Sequence, residues 1–174
     1  MTSLITTTST QPHPRCKPNA VPFSLSVCQG HFESQPWFDD PYLSGRKLVA
    51  RFFLPLELCP TANALGEMER WKKGKLKKEA LNFMLLQYMK NRNLWPLNKP
   101  LPGKPLIRAI RFSSRAPDPE SGWSKIVIDR LLPDKGRMGL IEDDSEDKLT
   151  REMHWHRAKP GVGYCVFELL TDTQ

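Results

Sequence analysis

The sequence predicts an α+β domain: a small mixed β-sheet with two main helices packed on one face, preceded by an irregular N-terminal arm. Three observations carry this expectation. KLVARFFLPL, PLIRAIRFSS and KLTREMHWHR alternate along the chain with the two-residue period of strands, and GYCVFELL follows them as a fourth. Two other segments repeat apolar residues at the spacing of a helix face. The order is strand, helix, strand, helix, strand, strand, which places helices on one side of a sheet. At 174 residues the chain is one domain's worth and long enough to bury a core.

Residues 1–45 are rich in Ser, Thr and Pro and show neither helical nor strand periodicity, so they read as the arm. Within them the apolar patches VPFSLSV and PWF can dock on the domain, which spans residues 46–174. The first strand pits Leu48, Ala50, Phe52 and Leu54 against Val49, Arg51 and Phe53, and Pro55 and Pro60 end it. Leu81, Met84, Leu85 and Tyr88 then lie at i, i+3, i+4 and i+7, which predicts a helix from near Leu76 to Asn91. A Pro-rich linker leads to the second strand, with Leu106, Arg108, Ile110 and Phe112 on one face and Ile107, Ala109 and Arg111 on the other. SGWSKIVIDRLL predicts the second helix, burying Trp123, Val127 and Leu131 with Ile128 beside them, before Pro133 and Gly136 break it. Leu149, Arg151, Met153 and Trp155 share one face of the third strand, and AKPGVG turns the chain into the fourth.

Charge is distributed unevenly. The chain carries 26 Lys and Arg against 19 Asp and Glu, with a pI near 9.4. Residues 46–116 hold sixteen of the basic and four of the acidic side chains, while residues 117–174 hold eight and twelve. Lys72, Lys73, Lys75, Lys77 and Lys78 cluster around the start of the first helix, with Trp71 among them. Lysines there oppose the helix dipole, so helix stability does not account for them; contact with phosphate does. Trp71 can stack on a base or can belong to the core. Arg115 joins the basic set just ahead of the first acidic segment.

That segment contains Asp118 and Glu120 and directly follows a strand; a second, with Asp143 and Asp144, follows the second helix. A strand, helix and turn of this size can return the second pair close to the first. Carboxylates brought together repel unless a hard cation sits between them. Mg²⁺ suits oxygen ligands of this kind and leaves positions for water and phosphate. Beside a basic surface, that set describes metal-assisted phosphodiester hydrolysis. Taken singly, DPES also reads as a turn and helix cap, and EDDSED as a solvated loop. Other chemistry is thin. His154 and His156 lie on one strand face without a third ligand at readable spacing, which favours a polar face over zinc. Cys16, Cys28, Cys59 and Cys165 form no CxxC pair and read as reduced thiols of a cytosolic protein. Nucleophile elbow, phosphate-cradling Gly-rich loop and dinucleotide fingerprint are all missing from the sequence, as is an apolar run near the roughly 18–20 residues a membrane span needs.

The stretch resembles the RusA-type Holliday junction resolvases of bacteria and their phages. Their pattern is Asp-x-Asp-Asn after a strand, a helix with Lys-x-x-x-Asp, then Gly-apolar-apolar-x-Asp-Asp. Here Asp118-Pro119-Glu120-Ser121 stands at the first motif, Lys125 to Asp129 at the second, and Gly139-Leu140-Ile141-Glu142-Asp143-Asp144 at the third. Upstream, FFLPLELCPTANAL and the lysines resemble the family's opening strand, its Pro-x-x-Asn turn (Pro60, Asn63) and its basic loop, so the likeness covers roughly residues 47–171. It implies a cytoplasmic, Mg²⁺-dependent endonuclease that cuts four-way DNA junctions as a homodimer, with Mn²⁺ able to substitute and no membrane partner. It makes Asp118, Glu120 and Asp144 the metal ligands, Asp143 an assistant, and Lys125 the group facing the scissile phosphate. A two-fold dimer matches a two-fold junction. Two residues depart from the pattern: Glu120 is one methylene longer than Asp, and Ser121 replaces Asn. A second reading, of a different class, is therefore a RusA-like protein that binds DNA or junctions and cuts them weakly or not at all. A third is a protein-interaction module whose acidic segments are turns.

Overall fold

The computed structural model describes residues 23–35, 45–90, 99–118, 122–134, 137–159 and 162–172. In chain order the elements are α1 (Leu25–Glu33), β1 (Arg46–Pro55), a 3-10 turn (Leu56–Leu58), α2 (Ala62–Gly66), α3 (Arg70–Lys90), β2 (Leu106–Ser113), α4 (Lys125–Leu131), β3 (Thr150–Arg157) and β4 (Tyr164–Asp172). The strands form one mixed sheet in the order β1-β4-β2-β3, with β4 antiparallel to β1 and β2, and β3 parallel to β2 at the edge. The α+β class and the mixed sheet with two main helices on one face are as the sequence predicts. Among the described residues, no helix is long and apolar enough to cross a membrane.

Strand alternation sorts the side chains onto two faces. Phe52 and Leu54 of β1, Ile107 and Ala109 of β2, and Cys165, Phe167 and Leu169 of β4 face α3 and α4. Those helices return Ala80, Met84, Ile126, Val127, Ile128 and Leu131, so the face predicted for each helix is the face that packs. Leu81, Leu85 and Tyr88 close its margin, and Trp123 is buried with its ring tilted against that of Phe167. From the last turn of α3, Gln87 reaches the sheet: its Oε1 accepts from the Phe53 N–H at 2.9 Å, and its Nε2 donates to the Phe53 carbonyl at 2.8 Å. That fork occupies outward-facing backbone groups of edge strand β1 and leaves β3 as the more open edge.

On the opposite face the VPFSLSV part of the arm docks as expected, and it does so as a helix where the sequence showed no helical periodicity. Nine residues of the arm form α1, which lays Cys28 and Phe32 on Phe53, Ile110, Phe112, Tyr164 and Val166. Phe23 and Leu25 of the VPFSLSV patch pack there too, and His31 Nδ1 lies 2.6 Å from the Tyr164 hydroxyl. The PWF patch lies outside the described residues. Helix α3 also departs from expectation, starting at Arg70 rather than near Leu76. Its first two turns consist of good helix formers around one glycine, Gly74, whose cost is about 1 kcal/mol, and they propagate from the packed C-terminal half.

Beyond α1 the same face carries a buried ion cluster. Glu168 of β4 is fully buried between Arg51 of β1 and Arg108 of β2, its direct cross-strand partners. Arg51 donates Nε at 2.7 Å and Nη2 at 2.6 Å to one carboxylate oxygen, and Arg108 donates Nε at 2.7 Å and Nη2 at 2.5 Å to the other. Arg51 also lies over the Phe32 ring, 4.9 Å from its centroid. Removing one partner from such a cluster leaves buried charge uncompensated, at a cost of about 3–5 kcal/mol. Glu168→Ala is expected to lower the free energy of urea unfolding by about that amount, whereas Glu152→Ala, on the exposed edge strand, is expected to stay within about 0.5 kcal/mol of the parent.

Candidate nucleic-acid interface and acidic site

Gly122 brings the first acidic segment back onto the fold. Its φ of 54° is left-handed, where glycine is favoured, and a Cβ built on it would lie 3.6 Å from the Ala62 Cβ of α2. The Pro60–Asn63 corner thus abuts the start of the SGWSK segment. Arg111 fastens the two from beneath, donating Nη1 to the Cys59 carbonyl at 2.7 Å while its guanidinium carbon sits 5.6 Å from the Trp123 ring centroid. Thr61 Oγ1 caps α2 by accepting from the Ala64 N–H, and Lys73 Nζ donates to the Gly66 carbonyl at the other end of that helix. The corner, the basic helix and the Gly122 loop therefore meet around α2.

The predicted basic residues lie within the first turns of α3 rather than ahead of it. Trp71, Lys72, Lys75 and Lys78 are exposed, and Lys73 and Lys77 are half-buried. Lys72 pairs with Glu69 at 2.9 Å and sits 5.3 Å from the Trp71 ring centroid, while Lys75 approaches Glu79 at 3.9 Å. Exposed pairs of this kind are weak and yield readily to a polyanion. Arg115 is exposed just past β2.

Asp118 is exposed on the loop after β2, and Glu120 and Ser121 lie outside the described residues. Lys125 is exposed at the start of α4, where its N–H bonds the Gly122 carbonyl, and Asp129 lies half-buried one turn on. The third motif is a tight turn. The Asp144 N–H donates to Asp143 Oδ1 at 2.7 Å, and Ser145 Oγ donates to Oδ2 at 3.1 Å. The first of these bonds, then the second, holds the Asp143 carboxyl below its ordinary range. Asp144 faces Arg151 of β3 at 3.6 Å, and the same Arg151 Nη2 donates to the Asp144 carbonyl. Among the described residues, no three His, Cys, Asp or Glu side chains converge as a metal-holding group. The expected return of Asp143 and Asp144 onto Asp118 is thus not completed by described residues alone. The donors themselves are hard carboxylate oxygens, which suit Mg²⁺ or Mn²⁺ rather than a soft metal.

What these segments do share is one face of β3, a feature sequence reasoning left unused. Register pairs Ile107, Ala109, Arg111 and Ser113 of β2 with Arg151, Met153, Trp155 and Arg157. At one end Arg151 holds Asp144; in the middle Met153 Sδ accepts from Ser124, next to Lys125, at 3.4 Å. At the far end Trp155 Nε1 donates to Ser113 Oγ, which donates to the Arg115 carbonyl. The histidines occupy the opposite face: His156 stacks on Phe112, and His154 approaches Glu152 at 3.8 Å. Burial, and then the nearby His154, pushes the His156 pKa down.

The chain matches no protein-family model, no curated protein and no solved structure.

The Asp143 turn carries a pH signature. Its folded-state pKa lies below the unfolded value, so its contribution is complete above the ordinary aspartate range and is lost as pH falls through the lower folded value. Carboxyl-detected NMR titration is expected to place Asp143 below a typical aspartate, and Ser145→Ala is expected to move it upward. An Asp143 that titrates like a free aspartate in both proteins would show the turn is not formed.

Proposed function

We propose that the protein is a RusA-like, metal-dependent endonuclease of branched DNA. The observation that carries this reading is one face of β3 that contacts Asp144 of the third motif, Ser124 beside Lys125 of the second, and Ser113 at the end of the strand that leads to Asp118. Asp144, Ser124 and Ser113 each contact that face, and the lysine-bearing helix stands against the Gly122 loop through α2.

In this reading Asp118, Glu120 and Asp144 would hold Mg²⁺, with Asp143 fixing the turn that presents Asp144. The bound cation would supply Lewis-acid polarisation of the phosphate and a hydroxide nucleophile. The chain's own residues do the rest. Lys125 neutralises charge developing on the phosphate. Lys72, Lys73, Lys75, Lys77, Lys78 and Arg115 draw the DNA backbone in, with an affinity that falls as salt rises. Arg111 keeps the Cys59–Pro60 corner seated on the Gly122 loop. A four-way junction is the substrate that a two-fold homodimer would address with one site per opposed strand.

A specific observation favours a second reading, binding without efficient cutting. Asp144 already has a cationic partner in Arg151, and Glu120 and Ser121 are the residues that depart from the resolvase pattern.

Incubation with a labelled mobile four-way junction separates the two. Paired nicks dependent on Mg²⁺ or Mn²⁺ are expected, and Asp118→Asn or Asp144→Asn is expected to reduce cutting at least about 100-fold while leaving junction retardation intact. A junction that is retarded but uncut with either ion would establish the binding-only protein. Equal indifference to junction and duplex at low salt would overturn both.

A further inference from the structure

We propose that Trp155 is a fixed stacking platform for an unpaired base at the branch point, and that it gives the protein its preference for branched over linear DNA. This rests on the reading of the protein as a branched-DNA enzyme and adds to it the group that senses the branch.

Trp155 differs from the other described tryptophans. Trp123, on the same side of the sheet, is 3% exposed and belongs to the core. Trp71 is 64% exposed on the first turn of α3, where no hydrogen bond to a described residue fixes its ring. Trp155 combines the two conditions a platform needs. It is 38% exposed, yet its indole N–H is held by Ser113 Oγ at 3.1 Å, and that hydroxyl is oriented by the Arg115 carbonyl at 2.7 Å. A ring held in advance loses little freedom when a base stacks on it.

Its surroundings select the ligand. Met153, on the same strand face, is 49% exposed and widens the apolar surface. Arg151 and Arg157 bracket these two residues on that face, and both are exposed. An apolar centre between cations suits a base flanked by its phosphates, as on single-strand-binding surfaces. It suits a buried protein contact less well, since a protein interface core is depleted in charge. The strip also runs to Asp144 at one end and to the Arg115–Asp118 segment at the other. A base unstacked at the branch and seated on Trp155 would leave its neighbouring phosphates to Arg151 and Arg157 on the same face. Duplex DNA stacks its bases internally and offers the platform nothing.

The test uses the full chain without divalent cation, so that binding is read apart from cutting. Affinity is measured for a four-way junction and for a linear duplex of the same arms, with 2-aminopurine, whose emission is quenched by stacking, placed at the branch. Trp155→Leu keeps apolar bulk without a π face, and Trp155→Phe keeps a face; circular dichroism confirms that both fold. Trp155→Leu is expected to weaken junction binding about tenfold and to abolish the branch-point fluorescence change, with duplex affinity within about twofold of the parent. Trp155→Phe is expected to retain most of the junction affinity and the fluorescence change. The proposal is overturned if Trp155→Leu binds the junction as the parent does, or if it loses junction and duplex equally. It is also overturned if sedimentation shows that the substitution splits a dimer, which would make the strip a contact between copies. A parent chain that binds both DNAs alike would remove the branched-DNA reading itself, whereas failure at Trp155 alone leaves that reading standing.

Discussion

Two arginine forks close on one carboxylate at the centre of the sheet. Glu168 is fully buried, so its charge is tolerable only while Arg51 and Arg108 both reach it. The three residues stand directly opposite one another on β1, β4 and β2. A one-residue slip of any strand would turn its member of the cluster to the other face and leave charge facing an apolar core. The cluster therefore does what hydrophobic alternation alone does weakly: it singles out one register for three strands. Everything at the candidate site inherits that register. Arg111 meets the Cys59 carbonyl because Arg108, three residues earlier on β2, is locked to Glu168. β3 in turn is aligned on β2, which sets Met153 opposite Ala109 and Trp155 opposite Arg111.

A chain so rich in lysine needs a reason to keep its acids beside its bases. In the first turns of α3 the basic side chains stand where helix dipole and mutual repulsion both work against them. Among the described residues their acidic partners are Glu69 and Glu79, both exposed and weakly held. The acids across α2 are arranged differently. Asp143 is spent on fixing a turn, and Asp144 is presented outward by it. The basic helix and the carboxylate turn thus sit on separate elements, the first against the α2 corner and the Gly122 loop, the second against β3.

Much of this was legible beforehand, and the reason is periodicity. The faces of α3, α4, β2 and the part of β1 after its bulge at Leu48–Ala50 follow from 3.6- and 2-residue repeats that burial enforces, so Met84, Val127 and Leu131 fell where spacing placed them, whereas Val49 joins the core beside Ala50. What escaped was decided by single contacts. α1 is nine residues long and is stabilised by Phe32 packing on a sheet that its own sequence does not mention. The early start of α3 was hidden by Gly74 among the lysines. Glu168 stood alone in an apolar strand, yet its partners were in view: Arg51 and Arg108 each interrupt a strand that is otherwise apolar around them. β3 illustrates the limit of alternation most clearly. The pattern Leu149, Arg151, Met153, Trp155 is indeed one face of a strand, but only pairing order shows that the strand lies at the sheet edge with that face partly open.

The Arg151–Asp144 pair bears directly on whether the site can work. Both side chains are well exposed, at 43% and 37%, and separated by 3.6 Å. An exposed pair of that geometry contributes at most about 1 kcal/mol and weakens with salt. It is too weak to keep Asp144 from a hard divalent cation, whose charge density and oxygen preference favour a carboxylate over any guanidinium it displaces. In the proposed reading Arg151 would then be released onto the face it shares with Met153 and Trp155, where a DNA phosphate would be its counter-ion. On this argument the pair holds the acid and the base of the site in one place until substrate and cation separate them. In the same reading, the arginine that pairs with Asp144 in the free protein would be the one that meets the DNA backbone.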